Sequence, residues 1–249
     1  MARMRRTGAL AALLAAVQLA AAACDWPGSA PDTPSSHPAP RDAASDRIGA
    51  LFLGSVDGPR MCTASVVSSP QRNLLVTAAH CVETLDRGRE DGLVFAPGFR
   101  HGRTPYGSWP LTEVTVDERW TDSEDPEYDV AFLTVAPVDG EEIEDVVGGN
   151  RLGTRQGFGL PVSVTGYPND SEEPITCATR TGSQSPTQES FRCTGYSVGT
   201  SGSPWLTPDG TVVGVIGGYE EGGYEDAVSY SVTFDGRVAE LYRRATAQA

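Results

Sequence analysis

A chain of 249 residues has room for one large all-β domain or two small ones. It carries 33 acidic residues against 19 basic ones, all arginine, for a formal net charge of −14. That acidity argues against nucleic acid or an anionic membrane surface as partner and fits a soluble exported protein.

Residues 1–23 open with Arg3, Arg5 and Arg6, continue through an apolar stretch from Ala9 to Leu19 and end in an alanine run. The apolar part is too short to span a bilayer and no charged stop-transfer pattern follows, so this segment reads as an export signal peptide. Cys24, the odd one of five cysteines, sits directly at its end. Ala21-Ala22-Ala23-Cys24 resembles a relaxed bacterial lipobox, with Ala21 where such motifs favour leucine. That resemblance implies an acylated Cys24 anchored to the outer face of the cytoplasmic membrane; plain cleavage after Ala23 and secretion is the alternative. Residues 24–46, with prolines at 27, 31, 34, 38 and 40, have nothing to bury and read as a disordered tether. His37 falls within it and is expected to have no role.

From Ile48 the texture changes to short apolar runs between turn signals. Strands are predicted near 49–54, 61–67, 73–77, 92–95, 113–117 and 129–135. After an acidic, glycine-rich break, six more are predicted near 160–167, 175–181, 189–194, 203–207, 211–218 and 227–233. A helix starts at about Asp235, a good N-cap, and carries Val238, Leu241, Tyr242 and Ala245 on one face. The pattern predicts an all-β domain over 47–249: two six-stranded antiparallel Greek-key barrels (about 48–137 and 153–234), a C-terminal helix (about 235–245) and an active site in the cleft between the barrels.

In an oxidising compartment the remaining cysteines should form disulfides. Cys62 with Cys81 and Cys177 with Cys193 each close a short local loop, although four cysteines allow three connectivities.

Three stretches carry chemistry. Ser197-Val198-Gly199-Thr200-Ser201-Gly202-Ser203-Pro204-Trp205 is a glycine-bracketed turn around one serine, whose hydroxyl needs a base and oxyanion donors to act as a nucleophile. Only three histidines exist. His80 follows the apolar run Leu74–Ala79 and precedes Cys81, whereas His101 sits in a polar loop, as a solvated surface residue would. Asp129 opens the apolar run Val130–Val135, where a carboxylate is costly unless paired.

Thr77-Ala78-Ala79-His80-Cys81, Asp129-Val130-Ala131-Phe132-Leu133 and Gly199-Thr200-Ser201-Gly202-Ser203-Pro204 resemble the three signature segments of trypsin-like (chymotrypsin-fold) serine peptidases, in that family's order of His, Asp, Ser. Thr200, Ser203 and Cys62-Thr63-Ala64-Ser65 are most similar to the bacterial glutamyl-endopeptidase-like branch. The resemblance covers roughly residues 48–245. It implies His80 as general base, Asp129 as its orienting acid, Ser201 as nucleophile, and Gly199 with Ser201 as oxyanion hole. An exported serine endopeptidase is therefore expected, acting as a monomer on a peptide or protein substrate, with no cofactor and no metal.

Departures from the family pattern narrow the expectation. Thr200 stands where the animal enzymes carry an aspartate that pairs with a newly cut N-terminus. Arg47-Ile48 looks like an activation site, but only 13 residues lie between Ile48 and Cys62, so activation by that salt bridge is not expected. Gly217 replaces a serine that supports the aspartate in many relatives. The family's primary pocket maps onto Gly195, Tyr196, Ile216, Gly217, Gly218 and Tyr219. Gly195 supplies no carboxylate for Arg or Lys, and Ile216 stands where glutamyl relatives place a histidine. Cleavage after small or medium apolar residues is expected, with Tyr196 and Tyr219 narrowing the pocket.

Two rival classes fail. An α/β-hydrolase requires a histidine after the serine, and none follows Ser201. A metalloenzyme is poorly served by three scattered histidines and paired cysteines. The remaining alternative is a catalytically impaired peptidase-fold protein that binds peptides or a cell-surface partner.

Overall fold

The computed structural model describes residues 33–248. The signal peptide, Cys24 and the first part of the predicted tether lie outside the described residues. No helix among the described residues is long and apolar enough to cross a membrane.

The first half closes into a six-stranded barrel, in the order Ile48–Leu53, Arg60–Val67, Leu74–Thr77, Ala131–Val135, Trp109–Thr115 and Leu93–Pro97, with the last strand pairing back on the first. Leu51, Ala64, Leu75, Phe95, Trp109 and Leu133 fill it and are all but inaccessible to solvent. The largest boundary difference from expectation is Trp109–Thr115, which starts four residues before the predicted 113. Trp109 is buried while Pro110 is exposed and offers no N–H, so the first part of the strand does not read as an apolar run.

The all-β, two-barrel class expected from the sequence holds, with a difference in the second half. Its ladder is split between a six-stranded and a three-stranded sheet. Ile175–Arg180, Pro161–Gly166, Pro204–Leu206 and Thr211–Val215 form the middle of the larger sheet, and Gly182–Ser183, Gln188–Arg192 and Val228–Val232 form the smaller. Val215 N–H to Ser231 Oγ (3.0 Å) and Gly217 N–H to the Tyr230 carbonyl (3.0 Å) join the two. Gly236–Gln248 is the C-terminal helix, packing Val238, Leu241 and Ala245 into the core. Its Tyr242 ring lies edge-on to Phe132 of the first barrel. The disulfides are Cys62–Cys81 and Cys177–Cys193.

The tether needs correcting where it is described. His37–Pro38 adds an edge strand to Ile175–Arg180. Pro34 and Ser36 exchange backbone hydrogen bonds with Thr194 (3.0 and 3.1 Å), and Ala39 N–H reaches the Pro174 carbonyl at 2.8 Å. Arg100, itself buried, donates to the carbonyls of Ala39 (2.9 Å) and Pro40 (2.8 Å). Ala43–Asp46 then forms one helical turn capped by Asp42. The compact unit thus begins at Thr33. Backbone hydrogen bonding holds this strap, so no apolar pattern announces it. The Arg47–Ile48 bond is internal: Ile48 is 1% exposed and opens the first barrel strand, and the Arg47 carbonyl accepts from Val66 N–H at 2.9 Å.

Candidate active site

His80 sits in the single turn Ala79–Cys81 that ends the strand Leu74–Thr77, and the Cys62–Cys81 bridge ties that turn to the neighbouring strand. Asp129 is fully buried just before Ala131–Val135, which pairs with Leu74–Thr77 and so delivers the carboxylate beneath the imidazole. His80 Nδ1 meets Asp129 Oδ2 at 2.8 Å, and His80 backbone N–H donates to Oδ1 at 2.9 Å.

Gly218 backbone N–H donates to Asp129 Oδ2 at 2.7 Å. Gly217 leaves no room for a supporting side chain, since a β-carbon there would lie 2.9 Å from Asp129 Oδ2 and 3.0 Å from Ala78 Cβ. Burial alone would raise the Asp129 pKa, but the charge and hydrogen bond of His80, with the two backbone donors, hold it below the ordinary carboxylate value. For His80, burial pushes the pKa down, and the charge and hydrogen bond of Asp129, with the charge of Glu221, more than reverse this, leaving it raised.

Ser201 lies in the turn between Cys193 and Pro204–Leu206. Thr200 closes that turn on itself, donating N–H and Oγ1–H to the Ser197 carbonyl at 3.1 and 2.7 Å. Position 200 thereby serves the loop locally. The first barrel clamps the turn from below: Thr63 N–H donates to the Ser201 carbonyl (2.8 Å), Thr63 Oγ1 donates to the Gly199 carbonyl (2.9 Å), and Thr63 Oγ1 accepts from Tyr167 N–H (2.9 Å). Gly199 and Gly202 have φ of +100° and +79°, which favour glycine. Among the described residues, the N–H groups of Gly199 and Ser201 make no hydrogen bond, nor does Ser201 Oγ bond the imidazole.

His80, Ser201, Gly199, Tyr196 and Ile216 line one cleft of about 720 Å³. Gly195, Gly217, Gly218 and Tyr219 do not line it. Gly195 is backed by Ser36 of the strap, so a β-carbon there would collide with the Ser36 hydroxyl. Tyr219 stacks edge-on against Tyr230 at 5.0 Å and does not narrow the pocket as expected. Tyr196 is spent on packing, with its hydroxyl bonded to the Val164 carbonyl at 2.6 Å and its ring against Phe191. Sequence reasoning missed Ser229, Gly222 and Gly223, which also line the cleft, and Thr63 beneath it. Thr63 lies in Cys62-Thr63-Ala64-Ser65, the one signal that could have found it.

The sole His/Cys/Asp/Glu group among the described residues close enough to hold a metal is Cys62, His80 and Cys81. It does not fit one, because both sulfurs are in the disulfide and His80 Nδ1 is bonded to Asp129.

The family model for the trypsin-like peptidase domain matches residues 62–215. A protein named extracellular metalloprotease from Bacillus subtilis (strain 168) is 32% identical over 109 residues, 44% of this chain and 34% of that protein. The chain thus matches about a third of that relative's length. The solved protease Anisep from Arthrobacter nicotinovorans superimposes with a TM-score of 0.72 at 23% identity, over 83% of this chain and 98% of that one. A Glu endopeptidase structure gives 0.73 at 18% identity, over 86% and 97%. At these identities the two structures speak to the fold.

Proposed function

The chain belongs to the trypsin-like peptidase family, and on that footing we propose that it is an exported serine endopeptidase with Ser201, His80 and Asp129 as its triad. The observation that carries this reading is the buried His80–Asp129 pair, joined at 2.8 Å in the cleft that Ser201 also lines.

In the proposed reaction His80 Nε2 takes the Ser201 hydroxyl proton as Oγ attacks the scissile carbonyl. The unengaged N–H groups of Gly199 and Ser201 receive the developing oxyanion. His80 then passes the proton to the leaving amine as the C–N bond breaks, leaving an acyl-Ser201. Water, deprotonated by the same imidazole, hydrolyses that ester and restores the serine. Asp129 stays ionised throughout and holds the Nδ1–H tautomer, which its lowered pKa favours.

The side chain before the scissile bond would meet Ile216, Tyr196 and Ser229, which suits a small or medium apolar residue. The disulfides and the extracellular relative support export. Whether the mature protein is secreted or held by an acylated Cys24 is decided by mass spectrometry of its N-terminal peptide. The function is tested by digesting a peptide library with the wild type and with Ser201→Ala. A loss of about 10⁶ in kcat is expected, and comparable hydrolysis by the variant would sink the assignment.

A further inference from the structure

We propose that the cleft selects cationic substrates, namely peptide segments bearing Arg or Lys side chains within a few residues of the scissile bond. The inference rests on reading this cleft as the peptide site. Its lining includes Asp86 and Glu124 from the first half of the chain and Glu220, Glu221, Glu225 and Asp226 from the second. Among the described residues, the only cation lining it is Arg87, whose guanidinium is held by Glu90 at 3.1 Å. Among the described residues, the carboxylates of Asp86, Glu221, Glu225 and Asp226 make no ion pair and no hydrogen bond.

An acidic surface is by itself only a solvated face, and a second observation ties this one to a ligand. His80 is nine-tenths buried and lines the same cleft, with Nδ1 committed to Asp129 and Nε2 without a partner among the described residues. Whatever reaches that nitrogen enters the cleft that these carboxylates line. Glu221 is near enough for its charge to help raise the His80 pKa, so one carboxylate of the rim borders the reacting centre.

The backbone fixes these groups in place. Glu220 and Glu221 have φ of +51° and +52°, in consecutive left-handed conformations that glycine would adopt more readily. Gly222 follows at φ +102°, packed so closely that a β-carbon there would lie 2.6 Å from Ile216 Cγ2. A partly enclosed cleft concentrates the field of like charges on its walls. A peptide with basic side chains relieves that repulsion, while an acidic one adds to it. Ile216 and Tyr196 keep the innermost wall apolar, so the cationic preference belongs to the positions flanking the residue before the cut.

The test uses two fluorescent peptides with the same apolar residue before the bond, one flanked by Arg and the other by Gln. Anisotropy reads their binding to Ser201→Ala, and kcat/KM reads their hydrolysis by the wild type. Expected is roughly tenfold tighter binding of the Arg peptide at low salt, shrinking to about twofold at 0.5 M salt. Combining Glu220→Gln, Glu221→Gln, Glu225→Gln and Asp226→Asn should bring the ratio close to one. Should that variant not fold, the salt dependence of the parent carries the same information. Equal binding of the two peptides at low salt overturns the inference while leaving peptide hydrolysis untouched. A preserved binding preference without hydrolysis by the wild type would instead overturn the peptidase assignment and leave this inference standing.

Discussion

Gly218 gives its backbone N–H to Asp129 Oδ2, the oxygen that also binds the His80 ring, at 2.7 and 2.8 Å respectively. The support for the carboxylate comes from the main chain, since a β-carbon at position 217 would crowd Asp129 Oδ2. Asp129→Asn keeps the shape and removes the charge. A loss of about 10⁴ in kcat is expected, because the amide favours the wrong imidazole tautomer. The pH profile gives a second reading. A base must be neutral to work, so wild-type activity should rise with pH through a His80 pKa above its ordinary 6.5. In the Asp129→Asn variant the burial of His80 is less opposed, and that limb should move to lower pH; an unmoved limb would refute the coupling.

Thr63 should matter to both stability and rate. Its hydroxyl is fully buried, accepts from Tyr167 N–H and donates to the Gly199 carbonyl. Thr63→Val keeps the volume and strands both partners. A cost of about 2–4 kcal/mol in denaturant unfolding is expected, with kcat falling more than KM rises because the nucleophile turn loses its clamp. A variant as stable and as fast as the parent would show that the clamp is idle.

Glu189 offers a pH test remote from the cleft. It is 3% exposed, its Oε2 has no hydrogen-bond partner, and burial raises its pKa to about 7 from an ordinary 4.5. The folded protein holds this proton while the unfolded chain releases it, so stability should fall as pH rises from about 4.5 to about 7 and level off above. Glu189→Gln should abolish that slope and gain about 1–3 kcal/mol at pH 8. Identical stabilities by urea denaturation at pH 5 and pH 8 would rule this out.

The strap makes a prediction about proteolysis. Arg100→Met removes the donor to the Ala39 and Pro40 carbonyls while keeping most of the side-chain volume. Limited digestion followed by mass spectrometry should show new cuts between residues 34 and 46, with the core of 48–248 intact. An unchanged digestion pattern would mean that the strand pairing of His37–Pro38 suffices.

The proposed triad residues stand out in the sequence because each carries its context locally: a strand ending before His80, a costly acid at the head of an apolar run, a glycine-bracketed serine. Eleven of the twelve predicted strands lie within a few residues of the observed ones for the same reason, and the early start of Trp109–Thr115 follows from Pro110. What stayed hidden depends on distant partners or on backbone direction. Thr63 meets Gly199 across 136 residues of chain. The strap is held through carbonyls and N–H groups, which carry no side-chain signature, so its composition reads as a tether. Gly218, with φ of +79°, turns the chain so that Tyr219 stacks on Tyr230, a direction that one-dimensional spacing does not encode.

The buried Arg47–Ile48 junction bears on how such an enzyme is kept harmless to its producer. Ile48 is walled in by the barrel, and its carbonyl accepts from both Gly98 N–H and the Tyr167 hydroxyl. Ile48 already opens a barrel strand, so activation by a terminus freed at this bond is not expected. If the chain is exported unfolded, as the proposed function implies, the Cys62–Cys81 bridge beside His80 closes outside the cell. Material produced in a reducing cytoplasm should accordingly be inactive until oxidised. Full peptide hydrolysis by the reduced protein would place the restraint elsewhere.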